Sequence, residues 1–482
     1  MIHAHSDLGA MHPAAAVMER LHELRAGDLP THGGRTLSYV YDSGISSADQ
    51  LGRVALAEMS AANALDPTAF PSLRAMESEL VALAAGVLDA PDRAVGVASS
   101  GGTESIILAV LAARDGSPEI DRPQMVIPSS AHAAFHKAGH LLGVEVVAVP
   151  VDPETRRADI AATEAALTDR TVLVVASAPS YAHGVIDPIP DLAALAATRG
   201  IRCHVDACIG GWVLPFLDEE EGRMAWTFAV DGVTSISVDL HKYGYTPKGV
   251  SLLLHRDAAL RRGQLFASAA WPGYTMLNTT IQSTRSGGPL AAAWAVTTFL
   301  GVDGYRRLAQ AARDATLRVT EAVTAIDGLD VFVAPDSTLL ALQTDQTCDV
   351  FTIADEMLER GWYAQPQMSF EDARATLHLT TCAATAQHVD ELLEVLASSV
   401  AAAREVGPIQ VDPDLAAAAR AIDPMTLDEA AFDGLLAIAG LSGEGSAIVL
   451  PRRMAPVNAL LDLTPPALRE ALLLEVLDRL SR

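Results

Sequence analysis

Only three lysines, Lys137, Lys242 and Lys248, stand among the 34 basic residues of this 482-residue chain; the others are arginines. A guanidinium stays protonated at any pH a protein meets, so chemistry that needs a neutral primary amine must use one of these three. Two of them share one short segment, His241-Lys242-Tyr243-Gly244-Tyr245-Thr246-Pro247-Lys248-Gly249, directly after the apolar run Thr234–Val238. An amine held at the end of a strand can condense with a carbonyl to form a Schiff base. A biased base composition could also produce the arginine excess, and a solvated loop lysine is the plain alternative.

Two further segments fit the same chemistry. Ser99-Ser100-Gly101-Gly102-Thr103-Glu104-Ser105 lies between a strand-like and a helix-like run, where glycines let the backbone approach an anion and a helix start offers free N–H groups. It matches neither the dinucleotide fingerprint nor the P-loop pattern, and many such turns bind nothing. His204-Val205-Asp206-Ala207 ends an apolar strand, which places Asp206 where open α/β sheets bind ligands. Read alone, Asp206 is equally a turn or cap aspartate. Taken in order, a phosphate turn, a strand-end aspartate and a strand-end lysine are best explained together by pyridoxal 5'-phosphate. Lys242 would carry the Schiff base and Asp206 would hold the protonated pyridine nitrogen.

Composition removes other classes. A formal net charge of −26 argues against nucleic acid and against an anionic membrane surface as partner. No apolar run approaches the ~20 residues of a membrane span, and residues 1–7 lack the basic and apolar regions of a signal peptide. These features predict a soluble, cytoplasmic protein. Cys203 and Cys208 form a C-x4-C pair, Cys348 and Cys382 are remote, and no H-E-x-x-H occurs, so no metal site is expected.

The elements that must position these residues alternate. Helical spacing covers 51–62, 73–88, 104–114, 131–142, 160–167 and 192–198. Strand-like runs cover 95–98, 124–127, 144–149, 172–176, 201–205, 234–238 and 250–254. Such alternation predicts α/β architecture with a mostly parallel sheet covered on both faces. From about 300 the pattern becomes a smaller α+β unit, with helices at 305–326, 350–360 and 386–404 and strands near 331–333, 339–343 and 376–379. The expected organisation is an N-terminal arm (1–62), a large cofactor-binding domain (63–300), a small C-terminal domain (301–405) and a helical extension (406–482) interrupted at 440–445.

The motifs carry a family resemblance. Ser100-Gly101-Gly102-Thr103-Glu104-Ser105, Ser130-Ala131-His132-Ala133-Ala134-Phe135, His204-Val205-Asp206-Ala207-Cys208-Ile209-Gly210-Gly211 and the 241–249 segment resemble the sphingosine phosphate lyases. These are fold-type I pyridoxal phosphate enzymes related to the group II amino-acid decarboxylases. The resemblance implies an aspartate aminotransferase-like fold and a homodimer with active sites at the subunit interface. It makes Lys242 the Schiff-base lysine, Asp206 the pyridine partner, His132 the residue stacked on the ring and Tyr181 an active-site residue. Gly102, Thr103 and His241 resemble phosphate ligands, and Thr284 stands where a serine usually reaches the other subunit's cofactor phosphate. Lys137 reads as a surface lysine.

Departures from the family fall where substrate is read. The usual Asn-x-x-His-Pro-x-x-Phe-Pro becomes Asn63-Ala64-Leu65-Asp66-Pro67-Thr68-Ala69-Phe70-Pro71, so the histidine associated with substrate phosphate is Asp66. Tyr41 keeps a family tyrosine and Lys248 survives, whereas Val449 replaces another tyrosine. A carboxylate in place of a cationic or neutral donor repels a phosphate ester. The expectation is therefore a carbon–carbon lyase with retro-aldol chemistry on an amino alcohol or β-hydroxy amine and an altered phosphate-reading pocket. Amino-acid decarboxylation is the nearest alternative, and a cofactor-binding protein without turnover is a more distant one.

Overall fold

The computed structural model describes residues 12–39, 41–65, 68–218, 222–424, 432–434 and 451–480. Its centre is a seven-stranded sheet: β1 Val95–Ser99, β2 Gln124–Pro128, β3 Glu145–Val149, β4 Thr171–Ser177, β5 Arg202–Asp206, β6 Val233–Asp239 and β7 Ser251–His255. The spatial order is β1-β7-β6-β5-β4-β2-β3, and only the two pairings of β7 are antiparallel. β2, β4 and β7 are buried at every residue, as a sheet covered on both faces requires. One core packs Val126, Val174, Val205 and Ile236 beneath helices Pro71–Val87 and Ile189–Thr198. Another packs Met125, Ile127, Leu173 and Val175 against helices Gly102–Asp115 and Ala134–Leu142. The expected α/β class and large, mostly parallel sheet are what the chain forms.

Helix boundaries differ from the sequence reading where caps decide them. The helix expected over 73–88 starts at Pro71, because proline suits the first helical position, where an N–H has no partner anyway. The helix expected from Ala131 starts at Ala134, leaving His132 in the preceding turn, and it ends as expected at Gly143 with φ +66°. The helix expected at 305–326 belongs to a longer one, Gly287–Val323, broken at Gly301, whose φ of +57° is left-handed.

Two small strands, β8 Phe266–Ser268 and β9 Met276–Asn278, form a separate hairpin. Beyond the long helix, β10 Leu329–Val331, β11 Leu339–Thr344, β12 Gln365–Gln367 and β13 Thr376–Thr380 make an antiparallel sheet in the order β10-β11-β13-β12. Helices Val350–Glu359 and Val389–Val406 cover it through Ile353, Met357, Leu392 and Leu396. The following segment has helices Pro413–Ala421, Ala455–Asp462 and Pro466–Leu480. It is tied to this unit by buried Asp355, which accepts from the N–H groups of Met454 (3.0 Å) and Ala455 (2.9 Å). At the other end of that helix, Asp462 accepts from Ser369 N (2.6 Å) and Oγ (2.7 Å). The interruption expected at 440–445 lies outside the described residues. Among those described, no helix is long and apolar enough to cross a membrane.

Candidate active site

The carboxyl ends of β4, β5 and β6 deliver Ser177, Asp206 and Asp239 to one edge of the sheet. Register pairs Ser177 with Asp206, Asp206 with Ser237, and Asp239 with Ser251 of β7. A cavity of about 430 Å³ opens there, and its walls include Gly102, Thr103, His132, Tyr181, Asp206, His241 and Lys242. Seven residues singled out in the sequence thus converge, although they span 140 positions of the chain.

The sequence reading left one central partner unassigned. Lys242 Nζ lies 3.0 Å from Asp239 Oδ2, a carboxylate that is only 2% exposed. Burial alone would lower the pKa of Lys242, but Asp239, with further contributions from Cys208, Tyr41 and Asp206, outweighs burial and raises it. Burial likewise disfavours the Asp239 anion, yet Lys242 and His241 hold its pKa below the usual carboxylate range. The two groups stabilise each other's charged forms. The role of Asp239 depends on the Lys242 ammonium that the turn brings beside it, which residue type and spacing alone do not signal.

Asp206 Oδ1 accepts from Cys208 N (3.0 Å) and, at 3.5 Å, from Ser237 Oγ. This leaves Oδ2 without a protein partner among the described residues. On the same strand, buried His204 sits between Ser235 Oγ (2.9 Å) and Ser237 Oγ (3.2 Å), with its pKa lowered to about 4 by burial. A neutral imidazole there holds the hydroxyls beside Asp206 without adding positive charge.

The glycine turn has two physical requirements. A Cβ at Gly102 would meet Asp239 Oδ2 at 2.7 Å and Cys208 Sγ at 2.9 Å, so no larger residue fits. Gly102 also begins a 14-residue helix whose first N–H groups lack intrahelical partners. Behind the turn, buried Glu104 accepts from Ser100 N (2.6 Å), Ile281 N (2.9 Å) and Gln282 N (3.3 Å). Ile281 and Gln282 lie far along the chain, so the motif around Glu104 carries no sign of these contacts. His241 Nδ1 accepts from Val250 N (3.3 Å).

Around the rim the residues spread. Tyr181 donates to Ser38 O (2.8 Å) and stacks on His378 at 4.3 Å; burial raises its pKa. It also borders an adjoining cavity of about 360 Å³ walled by Phe332, Met368 and Phe370. His132 is exposed and accepts from Ala134 N at Nδ1 (3.2 Å). Tyr41 packs on Tyr243, and Lys248 Nζ lies 4.9 Å from the Tyr41 ring centroid while donating to His241 O (2.8 Å). Although the Lys248 side chain reaches solvent, dehydration against its neighbours and repulsion from Lys242 lower its pKa to about 8. Asn63 caps its own turn through Leu65 N (3.2 Å), and Thr284 is exposed; neither lines the Lys242 cavity. Lys137 is exposed on its helix. Asp66, Pro67 and Val449 lie outside the described residues.

These residues fit pyridoxal phosphate. An unpartnered carboxylate oxygen faces the demand of a ring nitrogen, a helix start that excludes any Cβ suits a phosphate, and a partly buried amine lines the same cavity. Among the described residues no cluster suits a metal ion.

The chain is similar to known pyridoxal-dependent proteins. Residues 39–326 match the pyridoxal-dependent decarboxylase conserved domain, and residues 413–479 match a C-terminal HTH domain of pyridoxal-dependent enzymes. Sphingosine-1-phosphate lyase of Dictyostelium discoideum is 39% identical over 63% of this chain and 57% of its own length. The chain therefore spans under three-fifths of that relative. A probable L-tyrosine/L-aspartate decarboxylase of Methanothrix thermoacetophila is 37% identical over 62% of this chain and 75% of its own. Among solved structures, the sphingosine-1-phosphate lyase of Burkholderia pseudomallei superposes with a TM-score of 0.76 at 35% identity, covering 83% of this chain and 94% of that one.

Proposed function

Because the chain belongs to the pyridoxal-dependent decarboxylase family, we propose that it is a pyridoxal phosphate-dependent carbon–carbon lyase that cleaves an amino alcohol or β-hydroxy amine by retro-aldol chemistry. The observation that carries this reading is the meeting of Lys242, Asp206, His132 and the Gly102 turn around one cavity. Bound there, pyridoxal phosphate supplies the electron sink for breaking a bond next to the substrate amine. Asp206 would hold the ring nitrogen, Gly102, Thr103 and His241 the phosphate, His132 the ring face, and Lys242 the aldehyde carbon. Asp239 keeps Lys242 in place.

Similarity to sphingosine-1-phosphate lyases favours cleavage of an amino alcohol over loss of a carboxylate. Arg156 and Arg374 line the adjoining cavity, whereas no arginine is among the described residues lining the cofactor cavity. His378, stacked on Tyr181 behind it, is kept neutral by burial, its pKa lowered to about 3. Decarboxylation remains the second reading because of the Methanothrix relative's similarity. The adjoining cavity beyond Tyr181 is lined by Phe332, Met368 and Phe370 and also by Arg156, Glu371, Asp372 and Arg374, so it suits a substrate tail with both apolar and polar parts. Exposed Thr284 has the hydroxyl to complete a neighbouring copy's site, which supports a homodimer with shared sites. Four free, buried cysteines accord with a cytoplasmic location. The large unit over 63–300 would bind the cofactor and the unit over 301–405 would close upon it, with 1–62 as an arm and 406–482 as an extension. Over residues 413–479 ten carboxylates oppose five arginines, which speaks against nucleic acid as that extension's partner.

Product identification tests the proposal. Incubation with amino alcohols, β-hydroxy amino acids and common amino acids should release an aldehyde; carbon dioxide instead would establish the decarboxylase. Matched phosphorylated and unphosphorylated substrates then test the Asp66 pocket, together with Tyr41, Asn63 and Lys248. Wild type should prefer the unphosphorylated member, and Asp66→His should move the ratio towards phosphate by roughly ten- to a hundredfold, the scale of a charged hydrogen bond. A strong wild-type preference for phosphate that Asp66→His leaves unchanged would discard the altered-pocket argument.

A further inference from the structure

Away from Lys242, a cavity of about 290 Å³ lies where the long helix breaks at Gly301. Its size is at the small end of small-molecule sites. Trp212, Phe216, Trp294 and Tyr305 supply its aromatic walls, and Leu80 and Leu83 its aliphatic side. Aromatics make up only 5% of the chain, so four in one small cavity is a local concentration. Trp212 and Tyr305 meet edge to face at 5.8 Å, and Phe216 stacks on Tyr305 at 5.2 Å. Glu79 is the single ionisable carboxylate among the lining residues, and no cation lines the cavity among the described residues. It accepts from Trp294 Nε1 (2.6 Å) and forms no ion pair among the described residues. A carboxylate beside aromatic faces attracts an organic cation and repels an anion.

The cavity is wired to the catalytic segments from two directions. Tyr305 Oη donates to Gly244 O (2.9 Å), two residues after Lys242. The turn there is closed tightly, since a Cβ at Gly244 would lie 2.3 Å from Leu240 O. Trp212 is the sixth residue after Asp206, and the preceding Gly211 packs against Val238 so closely that a Cβ would come within 2.6 Å of it. Both rings thus contact, or lie next to residues that contact, the chain near Asp206, Asp239 or Lys242.

We propose that this aromatic cavity is a second small-molecule site, for an organic ammonium ion with a compact apolar body, and that its occupancy adjusts the Lys242 turn through Tyr305 and Gly244. Glu79 fixes the cationic end, the four rings enclose the body, and the open side at Gly301, where a Cβ would meet nothing within 4 Å, is the entrance. That such an ammonium is one of the enzyme's own substrates or products rests on the lyase reading; the site itself does not.

Benzyltrimethylammonium is the probe, because a quaternary nitrogen cannot form a Schiff base and so cannot occupy the cofactor chemistry at Lys242. Titrated into holoenzyme, it should change tryptophan fluorescence saturably, since two of the five tryptophans line the site, and should shift the absorbance of the bound cofactor. Val302→Trp, at the rim, should abolish the binding while leaving basal turnover unchanged. Glu79→Gln should weaken it roughly tenfold. Tyr305→Phe should keep the fluorescence response and lose the cofactor response. Absence of saturable binding, binding that survives both Val302→Trp and Glu79→Gln, or competition with substrate at Lys242 would overturn the site. A cofactor response that persists in Tyr305→Phe would overturn the coupling. None of these readouts depends on which bond the enzyme breaks, so their failure is separable from failure of the lyase reading.

Discussion

The floor and the rim of the cofactor cavity are built differently. On the floor, Asp206, Asp239 and Lys242 extend from or directly follow strands β5 and β6, and each is fixed by partners within 3.0 Å. On the rim, Tyr41, His132, Tyr181 and Lys248 come from loops, and Lys248 and His132 reach solvent. A floor set by sheet register tolerates no substitution that changes charge, because removal of one buried partner strands the other. A rim assembled from loops can change its residues without disturbing the fold. The residues that depart from the lyase pattern, Asp66 and Val449, belong by resemblance to the substrate-reading group and not to the floor.

The largest test of this contrast is Lys242→Ala. Turnover should fall by about 10^4-fold or more, and borohydride should no longer fix the cofactor to the chain. Fixation at Lys137 or Lys248 in wild type would break the assignment. Asp206→Asn comes next: cofactor should be retained while turnover drops roughly 10^2- to 10^3-fold, the scale of losing one preorganised charge. Near-normal rates in that variant would mean that Oδ2 does not serve the ring nitrogen.

Rim changes should act more gently and on affinity. Lys248→Met should raise KM for an anionic substrate about tenfold with little change in kcat. Because Lys248 titrates near pH 8, wild-type affinity for that substrate should fall as pH rises through 8, whereas the variant's should not. A matching kcat loss would move Lys248 from rim to floor. The smallest effect concerns stability. His204, His255 and His378 are buried and His183 is partly so, and desolvation lowers their pKa values to between about 3 and about 4. The unfolded chain binds more protons than the folded one between those values and 6.5, so their stabilisation is lost as pH falls through that window. Asp187 opposes them, since burial raises its pKa to about 6. Thermal denaturation followed from pH 7 to 4 should show Tm falling by several degrees, and a rise would show that Asp187 dominates.

Fold and floor were legible for the same reason. Most strands of the main sheet are short apolar runs, and residues at or just after the ends of β5 and β6 line the Lys242 cavity. Hairpin β8–β9 escaped because its residues are largely exposed and carry no alternation. β12 is three residues of Gln-Pro-Gln, with no strand signature. The helix expected over 386–404 is two, Ala383–Ala386 and Val389–Val406, separated near His388. Asp239 and Glu104 escaped differently. Their importance lies in what folding brings beside them, an ammonium and a distant backbone, and neither contact has a periodic trace in sequence.

The reversed direction of β7 has a consequence for how the molecule can diversify. Loops after β2 and β4 lead into helices and can lengthen without altering the sheet. The connection from β6 to β7 cannot. Asp239 must face Ser251, His241 N donates to Val250 O, Thr246 N donates to Leu240 O, and Gly249 turns the chain with φ +113°. A residue inserted or deleted there would shift β7 by one position and turn its buried side chains over. The Lys242 segment is thus a fixed-length part of the molecule, and new substrate preferences in descendants of this chain should arise by drift in the open loops around it.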